Sequence, residues 1–190
     1  MPSELPGDAG PVLTGLAREA IAGALAGRRP AARDWAGFLA EPGAAFVTLT
    51  QGGDLRGCIG SLEAHRPLGA DVQANAVDAA LGDPRFAPLR PAELDGTDIE
   101  VSVLSQPEPL EFTDRADLLT RLRPGVDGLI LQARGRRGTF LPQVWEQLPT
   151  AELFLSQLVR KAGLPAGYWD LEVRVWRYTV TAFEERPGLP

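Results

Sequence analysis

Apolar and polar positions alternate with two clear periods along this chain. From Pro11 to about Ala26, apolar residues recur as Val12/Leu13, Leu16/Ala17, Ala20/Ile21 and Ala24/Leu25, which predicts a helix stopped at Gly27. Residues 44–50 (AAFVTLT) and 55–60 (LRGCIG) are strand-like and flank Gln51-Gly52-Gly53-Asp54, so a β-hairpin with a four-residue loop is expected. Residues 67–81 place Leu68, Val72, Ala76 and Ala79/Ala80 on one stripe, a second helix closed by Gly82-Asp83-Pro84. Residues 97–106 alternate Ile99, Val101 and Val103 against Glu100 and Ser102, and Leu110–Phe112 is read as an extension of the sheet. A short helix over 114–122 follows, with acidic residues at its start where the helix dipole favours them.

The second half repeats these devices. Residues 126–133 and 139–141 form a hairpin across the turn 134–138 (RGRRG), and 143–147 is read as one helical turn. Thr150 is a suitable N-cap for a helix to Ala162, with Gly163 as its stop. The last strand, 171–184, changes phase near Trp176-Arg177, which predicts a bulge or a change of sheet. Helices and strands are mixed without a strict β-α-β rhythm. The fold class is therefore α+β, with a mainly antiparallel sheet and flanking helices. Residues 28–42 read as a connector whose Trp35, Phe38 and Leu39 pack back on the core. Residues 1–10 read as a mobile N-terminal segment, and 11–186 as a single domain.

Composition narrows the class of protein. A net charge of -6 and a pI near 4.9 argue against a general nucleic-acid binder. The single cysteine excludes an internal disulfide, and residues 1–10 lack the basic and apolar regions of a signal peptide. No apolar run reaches the length of a membrane span. A cytoplasmic protein is expected.

The candidate chemistry converges on 55–61, LRGCIGS. Strict alternation puts Arg56, Cys58 and Gly60 on one face and Leu55, Gly57 and Ile59 on the other. A guanidinium two residues from a thiol lies roughly 7 Å away along a strand, close enough to favour the thiolate. Cys58 and Arg56 are thus the candidate catalytic pair. The bland reading is a buried Cys58 and an Arg56 that serves as partner to a buried carboxylate. Gly57 and Gly60 mark close approach of a ligand or of another backbone. Asp83 and Arg85 flank Pro84 and form either a local ion pair or a loop over the Cys58 face. Glu100 lies on the outer face of its strand, and gains interest only if that face borders a cleft. His65 is the sole histidine and reads as exposed. One Cys and one His do not supply a closed zinc site, and the RGRRG turn lacks phosphate-loop spacing, so neither metal nor cofactor is expected.

Six segments in order, LRGCIGSLEA (55–64), NAVDAALGDPRFAPL (75–89), IEVSVLS (99–105), GVDGLIL (125–131), TFLPQVWEQLP (139–149) and FLSQLVRKAGLP (154–165), resemble the AMMECR-one domain family. Its bacterial and archaeal members include protein A of the AmmeMemoRadiSam system. The resemblance covers about Leu13 to Phe183. It implies an α+β fold with a larger and a smaller lobe, a cleft lined by LRGCIG and a cytoplasmic setting. It also implies a Memo-like protein and a radical SAM protein as partners, and a role in RNA or nucleobase modification. The implied ligand is a small or nucleotide-like molecule. The motif carries over onto residues 55–60, with Ser61 adjoining, and the second segment onto Asp83, Arg85 and Phe86. Two classes of function remain open: an enzyme or enzyme subunit, and a non-catalytic binding or scaffold module.

Overall fold

The computed structural model describes residues 5–28 and 33–185. The chain divides into two compact units, one taking residues up to Leu104 and from Thr181 onward, the other Ser105–Val180. The fold is α+β, and its strands form two four-stranded sheets and a two-stranded ribbon.

In the first unit, α1 (Ala9–Leu25) is followed by β1 (Pro42–Gly43), β2 (Ala45–Gln51), β3 (Asp54–Gly60), β4 (Arg66–Pro67), α2 (Leu68–Leu81) and β5 (Asp98–Leu104). The fourth strand of its main sheet, β10 (Val180–Glu184), arrives from the far end of the chain, and the spatial order is β10-β5-β2-β3. The alternation of β2 and β5 explains the layering. Val47, Leu49, Ile99, Val101 and Val103 point to one face, where Leu13 and Ile21 of α1 and Leu68, Val72 and Ala76 of α2 bury them. Trp35, Phe38 and Leu39 pack against this core, as the connector reading expects. Helix α1 starts at Ala9 rather than Pro11, so Ala9 and Gly10 are buried helical residues; residues 1–4 lie outside those described.

The β2–β3 loop is shorter than expected. Gly52 and Gly53 both have positive φ (58° and 88°), which is the two-residue turn that matches strand twist, and Gln51 pairs directly with Asp54. The register then slips once, because Thr50 faces Leu55 while Leu49 faces Gly57. Arg56 is the extra residue of this bulge.

The second unit contains β6 (Glu108–Pro109), α3 (Arg115–Arg121), β7 (Gly128–Ala133), β8 (Arg136–Phe140), α4 (Ala151–Lys161) and β9 (Arg174–Tyr178), with sheet order β6-β9-β7-β8. Thr150 caps α4 by accepting the Leu153 N–H at 3.3 Å, and Asp114 caps α3 by accepting that of Asp117 at 2.8 Å. Trp145 stacks on Phe154 with centroids 3.9 Å apart and donates its indole N–H to the Asp127 carbonyl at 2.7 Å. Leu110–Phe112 does not extend a sheet: Leu110 N–H reaches the Val175 carbonyl, and both side chains turn onto the core. The phase change of the last strand is a change of sheet, displaced from 176–177 to Thr179, between β9 and β10. Among the described residues, no helix is long and apolar enough to cross a membrane.

Candidate functional site

Strand β3 lies at an open edge of its sheet, and its glycines are there for packing. A Cβ on Gly57 would stand 2.2 Å from the carbonyl oxygen of Ala79, so α2 presses its backbone onto that position. A Cβ on Gly60 would stand 2.2 Å from the ring of Phe46, its cross-strand neighbour. Between them, Cys58 pairs with Thr48 as a pair whose own backbone groups point outward.

An edge strand must satisfy those outward groups, and the loop after α2 does so. Asp83 Oδ2 accepts the Cys58 N–H at 2.9 Å, and Arg85 Nη2 donates to the Cys58 carbonyl at 3.1 Å. The two side chains are joined to each other at 2.7 Å and 3.0 Å, and the Asp83 side chain is buried. The Arg85 guanidinium, followed by burial in the opposite sense and by the Cys58 and Arg85 N–H groups, gives a net effect that holds the Asp83 carboxyl far below the usual carboxylate range. Phe86 lies under the Arg85 guanidinium, 5.4 Å from ring centroid to cation. Asp83 and Arg85 are therefore brought to Cys58, but to its backbone, and Phe86 reaches the site only through Arg85.

Arg56 takes another direction. Its guanidinium donates to Glu93 Oε1 at 3.3 Å and to the Ala87 carbonyl at 2.9 Å. Strict alternation placed it beside the thiol; the bulge at Arg56 removes that alternation, and Arg56 serves as partner to a largely buried carboxylate. Glu93 also accepts the Arg90 N–H at 2.8 Å. That amide, then the Arg90 side chain and finally Arg56 hold the Glu93 carboxyl down at about 2. The guanidinium that reaches Cys58 is Arg85's.

Ser61 belongs to a buried network at the end of the hairpin. Its hydroxyl donates to Asp71 Oδ1 at 2.7 Å, where Arg66 Nε also donates at 2.8 Å. The other Asp71 oxygen accepts the Ala45 N–H at 2.8 Å and Asn75 Nδ2 at 3.0 Å. Polar Asp71 and Asn75 flank the apolar stripe of α2 and pin it to β2. The network is structural. His65 is exposed and lies 3.3 Å from Glu63.

The remaining polar side chains of this sheet lie on the face turned away from α1 and α2. There Cys58 of β3, Thr48 of β2 and Glu100 of β5 stand in one cross-strand row. All three are half-buried, and Thr48 Oγ1 donates to Cys58 Sγ at 3.4 Å. Glu100 Oε1 accepts the hydroxyl of buried Ser102 at 2.8 Å. Two strand spacings of about 4.8 Å put the thiol-bearing and carboxylate-bearing backbones about 10 Å apart, with the threonine between them. Thr48 was not singled out from the sequence. Its signal was the alternation of AFVTLT, but the hairpin register needed to align it with Cys58 depends on the bulge.

The molecule defined by these features is a two-unit α+β protein built on a clamped edge strand that offers one thiol beside a hydroxyl. The chain belongs to the AMMECR1 family, whose model matches residues 14–183. It is 48% identical over 146 residues to a protein of Methanothermobacter thermautotrophicus, covering 74% of each. It is 38% identical to one of Methanopyrus kandleri, covering 94% of this chain and 90% of that relative. The crystal structure of an uncharacterised protein from Pyrococcus horikoshii superposes with a TM-score of 0.77 at 36% identity, covering 93% of this chain and 91% of the other.

Proposed function

We propose that the Cys58–Thr48–Glu100 row is the working surface of an enzyme or enzyme subunit that acts on a small or nucleotide-like substrate. The observation that carries this reading is the 3.4 Å hydrogen bond from the Thr48 hydroxyl to the Cys58 sulfur on the sheet face turned away from the helices. A hydroxyl held against the sulfur fixes its direction on that face, where it can attack an electrophilic carbon. Glu100, across Thr48, supplies a carboxylate able to take up or return a proton for a group bound over the row. Asp83 and Arg85 act as positioning residues that fix the Cys58 backbone. The partners are those implied by family membership, a Memo-like protein and a radical SAM protein, and nucleobase or RNA modification is the substrate chemistry in view.

Iodoacetamide kinetics test the reading. Cys58 should react faster than a free model thiol, and Thr48→Val should slow it. The proposal fails if Cys58 reacts no faster than the model thiol and Cys58→Ser leaves the output of the partnered process intact.

A second reading, a non-catalytic scaffold for the same partners, has its own support. Gly57, Gly60, Ser61, Arg56, Asp83 and Arg85 are all engaged in holding the fold together. Retention of the Memo-like protein in a pull-down, undiminished by Cys58→Ser and Glu100→Gln, favours the scaffold.

A further inference from the structure

The tip of the β7–β8 hairpin carries cations that the Cys58 row leaves unused. The turn is only two residues long, because Arg136 and Arg137, expected in the loop, already belong to β8. Its two residues, Arg134 and Gly135, have positive φ (50° and 70°). Arg134 is the only non-glycine with positive φ among the described residues, at a position where Asn, Asp or Gly is usual. An arginine held there is strained by its backbone and projects its guanidinium from the tip.

That guanidinium lies over the Tyr168 ring, 5.3 Å from its centroid, and 3.6 Å from Asp170. Arg136 shares the β8 face of Gly138, against which the end of α4 packs, and donates to the Gly163 carbonyl just beyond that helix. A cation is favoured at a helix C-terminus, and the last turn of α4 adds Arg160 and Lys161. Arg134, Arg136, Gly163, Leu164, Pro165 and Tyr168 line an open hollow of about 470 Å3. That lies within the roughly 300–1,000 Å3 typical of small-ligand sites. Asp170 does not line the hollow, and its carboxylate is shared between the Tyr168 hydroxyl, the Glu172 N–H and Arg134.

We propose that this hollow binds a nucleoside phosphate, free or at the end of a strand. Its phosphate bridges Arg134 and Arg136, and its base rests on the apolar wall of Leu164 and Pro165. A guanidinium offers five N–H donors in a planar fork suited to phosphate oxygens, and the recorded contacts of Arg134 and Arg136 use only part of each fork. The protein as a whole carries a charge of -6, so two lining guanidiniums form a local reversal of sign that selects anions. The site lies wholly within the second unit and does not depend on the chemistry of Cys58.

Calorimetric titration of the full chain with ADP, adenosine, inorganic pyrophosphate and a short single-stranded RNA bearing a 5′-phosphate tests the proposal. ADP should bind at least about tenfold more tightly than adenosine, and Arg134→Ala should weaken ADP about tenfold or more while leaving the unfolding midpoint unchanged. Cys58→Ser should leave ADP binding untouched, so failure of the Cys58 reading and failure of this one are separable. RNA binding tighter than ADP supports the strand end as the source, and equal affinity supports the free nucleotide. The proposal is overturned if ADP does not bind, if Arg134→Ala has no effect, if pyrophosphate binds as tightly as ADP, or if Cys58→Ser abolishes ADP binding.

Discussion

Asp83 and Cys58 are joined through the backbone of the cysteine, not its sulfur: the carboxylate accepts the Cys58 N–H at 2.9 Å while its own partner, Arg85, closes on the Cys58 carbonyl. A loop side chain thus takes the place of a neighbouring strand at the sheet edge. Asp83→Ala removes the acceptor from a part-buried N–H and leaves Arg85 without its carboxylate. A loss of about 2 kcal/mol in urea unfolding is expected. Asp83→Asn, which keeps an acceptor oxygen, should lose less.

Acid should weaken the same region. Asp83 and Glu93 both titrate lower in the folded chain than in the unfolded one, where carboxylates have pKa values of about 3.9 and 4.3. A depressed folded pKa contributes stability that is fully present above the unfolded value and is lost as pH falls toward the folded one. For Glu93 that window runs from about 4.3 down to about 2. Urea midpoints measured through this range should fall, and Glu93→Gln should flatten the fall.

The two motif glycines should differ in their response to alanine. At Gly57 the new methyl meets the backbone of α2, which cannot move without lifting the helix. At Gly60 it meets the ring of Phe46, a side chain that can turn aside. Both cost stability by overpacking, typically about 1–3 kcal/mol, with Gly57→Ala at or above the top of that range. Thermal unfolding of the two variants checks the order.

Arg56 gives a sharp test of what the motif arginine does. With its guanidinium engaged by Glu93 and the Ala87 carbonyl, Arg56→Ala should lower stability and leave the alkylation rate of native Cys58 unchanged. A double-mutant cycle with Glu93→Ala should show favourable coupling in unfolding. A slowed alkylation without lost stability would return Arg56 to the thiol.

These outcomes separate what was legible in the sequence from what was not. The stripe of α2, the cap at Thr150 and both hairpins are periodic or compositional signals, and they were readable within a few residues. LRGCIG was readable as a signature, but the alignment of its side chains was not. One bulge at Arg56 shifts the pairing by a residue, so Thr48 faces Cys58 instead of Gly57, and no local pattern announces it. The partner of Arg56 was equally hidden, because Glu93 lies 37 residues away, in a short 3-10 helix over Pro91–Gly96. Asp71 and Asn75 carry no signal of their own in the sequence, because they adjoin the apolar stripe without being part of it. The end of the last strand showed its change of phase, yet the corner falls at Thr179, where the chain leaves one sheet for another.

That corner has a bearing on how the protein is made. Because β10 closes the order β10-β5-β2-β3 from residues 180–184, the sheet of the first unit lacks a border strand until those residues have left the ribosome. The stretch Ser105–Val180 is contiguous and is synthesised before that strand. It therefore becomes complete first during translation, while β5 waits with one side bare, and a nascent chain stalled before residue 180 exposes that side to pairing with another copy.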